Sequence, residues 1–315
     1  MTERPARGVV IGAGAIGCRL ADGSEPPQTH AAAMAASPHF RLAGICDPDR
    51  TAAEAAGRQW GCPAHADLAR LLSDVRPQVA AVAVPAAAQP AILDALLDAG
   101  IRAVVAEKPL APSLAEAERL TRRYADAGVP LLVNFSRRFV PLYRELAERF
   151  RHERVLTASI RYAKGLRHNG VHALDLARLL FGEVGEAVAL DRRADHWPDD
   201  PTVAAFLRCQ RCPQVFLQAL DERCFTLFEL DVVSESGRWI VDGDHRRLRR
   251  WEVRDGLGIP PGRRLVEVEE RQTGHQFALV ELYANLAAVL FDGARPRCGG
   301  DEAVAAERLV QELRG

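Results

Sequence analysis

Short runs that are apolar at every position alternate with longer helical stretches through residues 1–134. Gly8–Ile11 is the first run, followed at once by a glycine-rich turn and the expected start of a helix. Arg41–Cys46 is the second and ends at Asp47. Helical patterning follows over Arg50–Trp60 and Asp67–Ser73. Val79–Val84 is apolar throughout, a helix over Gln89–Ala99 stops at Gly100, and Arg102–Ala106 leads into Glu107-Lys108-Pro109. Ser113, with Glu116 three residues on, forms a capping box for a helix that runs to Gly128, and Val129–Asn134 is one more strand. Strands without polar alternation are buried on both faces, as in a parallel sheet between helical layers. Residues 1–134 therefore read as a doubly wound parallel α/β domain.

Beyond residue 134 the pattern changes. Arg144–Arg151 and His172–Phe181 are helical, and Val155–Tyr162 alternates as a half-buried strand does. From Gly185 onward strand-like runs crowd together: Ala187–Leu190, Val203–Arg208, Val215–Ala219, Thr226–Val233, Arg238–Val241, Leu248–Val253 and Leu265–Val268. Close strands joined by short turns predict an antiparallel sheet. Helices over Phe277–Phe291 and Asp301–Leu313 close the chain. Residues 135–315 read as an α+β domain with an open, mostly antiparallel sheet, its last helices expected to pack back on the first domain.

Composition narrows the function. The length of 315 residues matches two domains at roughly 150 residues each. With 41 basic and 42 acidic residues, the chain lacks the positive excess of a nucleic-acid or anionic-membrane binder. No apolar run reaches the roughly 18 residues of a membrane span. The polar N-terminus runs straight into a strand, so no signal peptide is read. Seven scattered cysteines do not form a disulfide framework, and the expected compartment is the cytoplasm. Only two of the 41 basic residues are lysine, Lys108 and Lys164. Arginine holds its proton in proteins, whereas a lysine can be tuned to exchange one, so the positions of these two matter.

Gly12-Ala13-Gly14-Ala15-Ile16-Gly17 follows the first strand with the spacing of a dinucleotide fingerprint. The first glycine makes the tight turn, the second admits a pyrophosphate, and the third lets helix pack on strand. Asp47 ends the second strand, where a carboxylate accepts from both ribose hydroxyls of NAD and repels a 2′-phosphate. NAD is the expected cofactor and NADP the alternative. Gly17 and Asp47 stand further apart than the usual ~20 residues. Ala21–His30, polar and Pro-rich, accounts for the excess and is expected to be a loop near cofactor or substrate. Lys108 lies just past a parallel strand, where ligands of such sheets bind. There it can exchange a proton with a carbinol or carbonyl oxygen.

The glycine turn, the Glu107-Lys108-Pro109 tripeptide, the segment Asn134 to Phe139 and Gly170-x-His172-x-x-Asp175 together resemble the Gfo/Idh/MocA family, the glucose–fructose oxidoreductase and inositol dehydrogenase relatives. The resemblance spans residues 8 to 185 by motif. It implies a Rossmann domain, then an α/β domain whose open sheet often forms the subunit interface, hence a homodimer or homotetramer. It implies NAD(P)-dependent hydride transfer at a CH–OH or C=O carbon of a sugar, cyclitol or sugar nucleotide. By the same correspondence Lys108 and His172 are the catalytic pair. We favour His172 as acid/base and Lys108 as polariser of the oxygen; the reverse assignment stays open. Pro85 shapes the nicotinamide pocket, Glu107 and Lys108 join the cofactor site, and a cis peptide bond precedes Pro109. Asp175 orients the histidine's helix or meets substrate, with Arg137, Lys164, His168 and Asn169 as further substrate contacts.

Two positions depart from the family pattern: His168 stands where an aspartate is common, and Gln89 where a histidine is. The first supports a rival reading, an NAD(P)-binding regulatory or scaffolding subunit without turnover. A permanently held cofactor that serves two sugars in turn is a third. His168-x-x-x-His172 with Asp175 also has metal-ligand spacing, but the resemblance implies no metal and none is expected. Cys209-x-x-Cys212 reads as a turn of buried thiols rather than a zinc or redox site. Arg137 and Arg138 suit either a substrate phosphate or surface pairs with Glu145 or Glu148. Arg246–Arg250 reads as a solvated strand face, and Trp239 and Trp251 as core or interface.

Overall fold

The computed structural model describes residues 5–19, 26–243 and 245–315. The chain divides into two compact units, one running up to Phe139 and including Gln276–Ala305, the other Val140–His275 with Ala306–Gly315. The first unit takes in Ser136–Phe139, a short helix beyond residue 134 that packs on the helix Ala278–Asp292.

In the first unit six strands form one parallel sheet: β1 (Ala6–Ile11), β2 (Phe40–Cys46), β3 (Ala64–His65), β4 (Val79–Val82), β5 (Ala103–Ala106) and β6 (Leu131–Val133). Their order is β3-β2-β1-β4-β5-β6, the doubly wound arrangement that reverses direction of growth beside β1 and opens a crevice there. Every residue of β4, β5 and β6 is buried, which accounts for their lack of alternation. Gly12, Asp47, Pro85 and Lys108 follow the carboxyl ends of β1, β2, β4 and β5.

Several local expectations need correction. Among the described residues the glycine turn opens into a π turn, Ala15–Arg19, rather than an α-helix. Of the expected loop, 21–25 lies outside the described residues. His30 is no loop residue: it begins the helix His30–Ala36, capped by the Thr29 side chain, and is fully buried. That alanine-rich helix and the two-residue β3 carry too little periodicity to be read from the sequence. Ser113 caps its helix through the Glu116 N–H, but the Glu116 carboxylate turns to Arg119 instead of back to the cap.

The second unit holds an eight-stranded sheet of order β14-β13-β12-β11-β7-β10-β9-β8. Its strands are β7 (Val155–Tyr162), β8 (Val184–Trp197), β9 (Asp200–Cys209), β10 (Cys212–Ala219), β11 (Phe228–Ser234), β12 (Gly237–Asp242), β13 (Arg247–Leu257) and β14 (Gly262–Gln272). Only β7 and β10 run parallel. Strands β8, β13 and β14 extend well past their apolar runs because their ends are charged. Cross-strand pairs hold them instead, such as Arg208–Glu186 at 3.0 Å and Arg250–Glu269 at 2.8 Å. The Arg246–Arg250 stretch is therefore a partly buried ion-pair ladder, with Arg249 also 2.7 Å from Asp242.

One face of this sheet carries the helices Pro141–Arg149 and Val171–Phe181 and a core of Phe150, Phe181 and Trp239. The other face shows Val188, Phe206 and Phe216 side by side on β8, β9 and β10, with Leu190 next along β8. Trp251 lies under the guanidinium of Arg249 at 5.2 Å. Cys209 and Cys212 pair across the β9–β10 turn as buried free thiols, and burial pushes Cys209 up to about 12. Among the described residues no helix is long and apolar enough to cross a membrane.

Candidate active site

The glycine turn is built by steric exclusion. Gly12 has φ +103°, and a Cβ there would lie 2.3 Å from the Ala83 carbonyl oxygen. A Cβ on Gly17 would lie 2.0 Å from the Gly12 carbonyl oxygen. Both positions admit only hydrogen. Gly14 is different: among the described residues nothing comes within 4 Å of where its Cβ would be. Its backbone is open to approach, as pyrophosphate binding requires of the middle glycine.

Asp47 fastens the end of β2 to this turn. Its Oδ2 accepts the Ala13 N–H at 2.7 Å and its Oδ1 the Asp49 N–H at 2.9 Å. Each oxygen keeps a lone pair for a ribose hydroxyl. The turn and the carboxylate thus fit a dinucleotide. Asp47→Ser should move the ratio of kcat/KM for NAD over NADP at least about tenfold toward NADP, since a repelled charge costs of order 1–2 kcal/mol here. An unchanged ratio in steady-state assays with both cofactors would remove Asp47 from cofactor selection.

Every group flanking Lys108 is held. The peptide between Lys108 and Pro109 is cis. The Gln89 side-chain amide donates to the carbonyl oxygens of Glu107 at 2.9 Å and Pro109 at 2.8 Å. The Glu107 carboxylate accepts from Asn134 Nδ2 at 2.7 Å and meets His30 Nε2 at 3.0 Å. His30 Nδ1 in turn lies 3.1 Å from the Tyr283 hydroxyl. Burial pushes Glu107 up, but the His30 and Asn134 hydrogen bonds and the Lys108 charge outweigh it and hold the carboxyl below its ordinary value. Glu107 is thus a largely buried anion, its side chain 12% exposed, next to the lysine in the chain. The buried side-chain oxygens of Gln89 and Asn134 find no donor among the described residues, acceptors that a bound ligand or water can satisfy. Pro85 is exposed beyond β4.

Arg137 and Arg138 are 5% and 9% exposed, so the surface-pair reading fails. Glu145 pairs with Arg271 at 2.7 Å and Glu148 with Arg151 at 2.7 Å.

In the second unit, the segment from Lys164 to His172 leaves β7 and enters the helix Val171–Phe181 through a π turn, Leu166–Gly170. Two carboxylates of the β8–β9 hairpin hold it. Asp195 Oδ2 accepts the Lys164 N–H at 2.8 Å and the Thr202 hydroxyl at 2.8 Å. Asp200, 2% exposed, accepts the backbone N–H groups of Arg167 and His168 and meets His168 Nδ1 at 2.7 Å. Gly165 is required beneath it, since a Cβ there would lie 2.3 Å from Asp200 Oδ2. The His168 ring stacks on Trp197 at 4.4 Å, and Lys164 Nζ lies 3.6 Å from Glu222. Asn169 donates to the Ala163 carbonyl oxygen at 2.8 Å.

His172 is partly exposed in the first turn of its helix. Asp175 is 1% exposed and 3.9 Å from Arg178. That burial suits a carboxylate that supports the helix. Among the described residues no group of three or more His, Cys, Asp or Glu is placed to hold a metal ion. His30, Gln89, Asp195 and Asp200 escaped the sequence reading as site residues. The groups they hold in Glu107, Lys164 and Arg167 lie from 18 to 77 residues away along the chain, and no spacing signals them.

Residues 6–135 match the family model described as the oxidoreductase family with NAD-binding Rossmann fold. A D-apiose dehydrogenase from Paraburkholderia graminis is 25% identical over 299 residues, covering 86% of this chain and 79% of that protein. Among solved structures, the WlbA dehydrogenase from Bordetella pertussis, in complex with NADH and UDP-GlcNAcA, aligns with TM-score 0.75 and 19% identity over 99% of this chain and 96% of that one. KijD10, a 3-ketoreductase from Actinomadura kijaniata, seen as a mutant with TDP-benzene and NADP, aligns with TM-score 0.78 and 20% identity over 98% and 97%. These two likenesses are of fold. Taken with the glycine turn and the Asp47 carboxylate, the match to the first unit makes the cofactor NAD or NADP, and residues 6–135 match the NAD-binding domain of the Gfo/Idh/MocA oxidoreductases.

Proposed function

We propose that this oxidoreductase moves a hydride between nicotinamide and the CH–OH or C=O carbon of a sugar, cyclitol or sugar nucleotide. The observation that carries the reading is the clamped Glu107-Lys108-Pro109 turn past the carboxyl end of β5. A fold that immobilises both neighbours of one lysine this thoroughly presents that lysine for chemistry. The named sugar and sugar-nucleotide ligands of the similar proteins support the substrate class.

NAD, when bound, supplies the hydride acceptor or donor. Lys108 polarises the reacting oxygen. In oxidation His172 takes the hydroxyl proton, and in reduction it returns one to the forming alkoxide. Lys164, His168, Asn169 and Arg137 hold the remaining hydroxyl or phosphate groups. The test is reduced-nicotinamide absorbance with purified protein, either cofactor, and a panel of sugars, inositols and sugar nucleotides. Turnover with one class supports the reading. Tight NAD binding without turnover on any of them favours the non-catalytic alternative.

The Val188, Leu190, Phe206 and Phe216 face is where copies of the chain meet in this reading. Leu190 is 60% and Val188 43% exposed, and contiguous apolar surface of this kind marks interfaces. Phe216→Glu should lower the mass seen by sedimentation equilibrium toward the monomer. An unchanged mass would place the interface elsewhere.

A further inference from the structure

The chain contains two lysines, and the first follows directly on a largely buried, hydrogen-bonded carboxylate. His30 is 0% and Asn134 7% exposed; Asn134 gives its amide nitrogen to Glu107, and His30 sets one ring nitrogen on Glu107 and the other on the Tyr283 hydroxyl. These residues come from four separate places: the helix His30–Ala36, the end of β5, the end of β6 and the helix Ala278–Asp292. A carboxylate accepts only, so the Asn134 amide nitrogen and the facing His30 nitrogen must both donate to it. Two donors aimed at one oxygen stabilise the anion. The cost of burying that charge is met by a network whose product is a fixed negative charge one residue from Lys108.

We infer that His30 and Asn134 are positioning residues that act through Glu107 to keep Lys108 charged and in place. The inference rests on the reading that Lys108 acts at the substrate oxygen. Gln89 fixes the backbone of the same turn from the other side, through Glu107 and Pro109. The other titratable groups of the network are Tyr283, on the far side of His30, and Cys18, whose charge Tyr283 senses. Burial pushes Cys18 up to about 12 and Tyr283 well up, so both stay neutral. Glu107 is then the charged group of this network, one residue from Lys108 and sensing its charge. An uncompensated loss of that charge disfavours the ammonium form of the lysine.

The two-lysine composition makes this directly measurable. In protein labelled with ¹⁵N at lysine Nζ, only Lys108 and Lys164 give side-chain signals, and Lys164 is an internal control. Glu107→Gln should move the Lys108 titration to lower pH by on the order of one unit, with the Lys164 midpoint unmoved. His30→Ala should move it part of the way, and His30→Gln, which keeps a donor and most of the volume, should restore it. Turnover should follow, with kcat falling about tenfold or more in His30→Ala while KM and NAD affinity hold. Asn134→Ala repeats the test should His30→Ala not fold.

A Lys108 midpoint at the wild-type value in Glu107→Gln would overturn the inference. That titration needs no substrate, so such a failure leaves the oxidoreductase reading standing. The failure of that reading is seen separately, in the turnover of a lysine variant.

Discussion

Lys108→Ala should lower kcat by about a hundred- to ten-thousandfold while leaving NAD affinity within a few-fold of wild type. The size is that of removing one positioned proton-transfer or polarising group. Binding should survive because, in the proposed function, the dinucleotide rests on other parts of the sheet: the open backbone at Gly14, the closed turn of Gly12 and Gly17, and the Asp47 carboxylate. The fold should survive too, since alanine keeps the backbone and the Gln89 hydrogen bonds run to Glu107 and Pro109, not to residue 108. Single-turnover kinetics with saturating NAD separates the two effects. A kcat near wild type would sink the assignment of Lys108, and with it the proposed chemistry.

The largest expected effect on stability lies in the second unit. Asp200→Ala should destabilise the protein by about 3–5 kcal/mol, read as a lower urea midpoint with an unchanged slope. Asp200 receives two backbone N–H groups and one imidazole nitrogen at 2.7–3.0 Å. Each buried donor left without an acceptor costs about 1–3 kcal/mol. The neighbouring Asp195 already uses its Oδ2 on the Lys164 and Glu222 N–H groups and the Thr202 hydroxyl. Asp200→Asn keeps an acceptor for the backbone groups and should cost markedly less. Equal losses in the two variants would mean that the backbone hydrogen bonds are not what Asp200 contributes. With the carboxylate gone, the segment from Gly165 to Asn169 loses its anchor, so substrate affinity should weaken as well.

The expected site residues divide by how their signal arises. Gly12 and Gly17 were legible because their requirement is local. A turn with φ +103° and a carbonyl oxygen 2.0 Å from a would-be Cβ can be met by one residue type, and that leaves a mark in the sequence. Lys108 stood out by scarcity among arginines and by its position after an apolar strand. Arg137 and Arg138 were misjudged as possible surface pairs because charge says nothing of burial. Their helix, Ser136–Phe139, is too short to show a period. The π turn after Gly14 replaced an expected helix because hydrophobic pattern does not distinguish one hydrogen-bond ladder from another at a single turn.

By itself the sequence determined the two-part architecture, the parallel order of strand and helix in the first part, the antiparallel crowding of strands in the second, and the chemistry of the glycine turn. All of these follow from periods of two or 3.6 residues and from turn residues, which are properties of neighbours along the chain. Only the tertiary structure decided that His30, Asn134 and Tyr283 gather around Glu107. It alone placed Gln89 on the carbonyls of Glu107 and Pro109, and Asp200 beneath His168. The physical reason is the same in each case. A buried polar group must be satisfied, but the fold chooses the partner from any residue it brings within 3 Å, and nothing in the spacing along the chain records that choice.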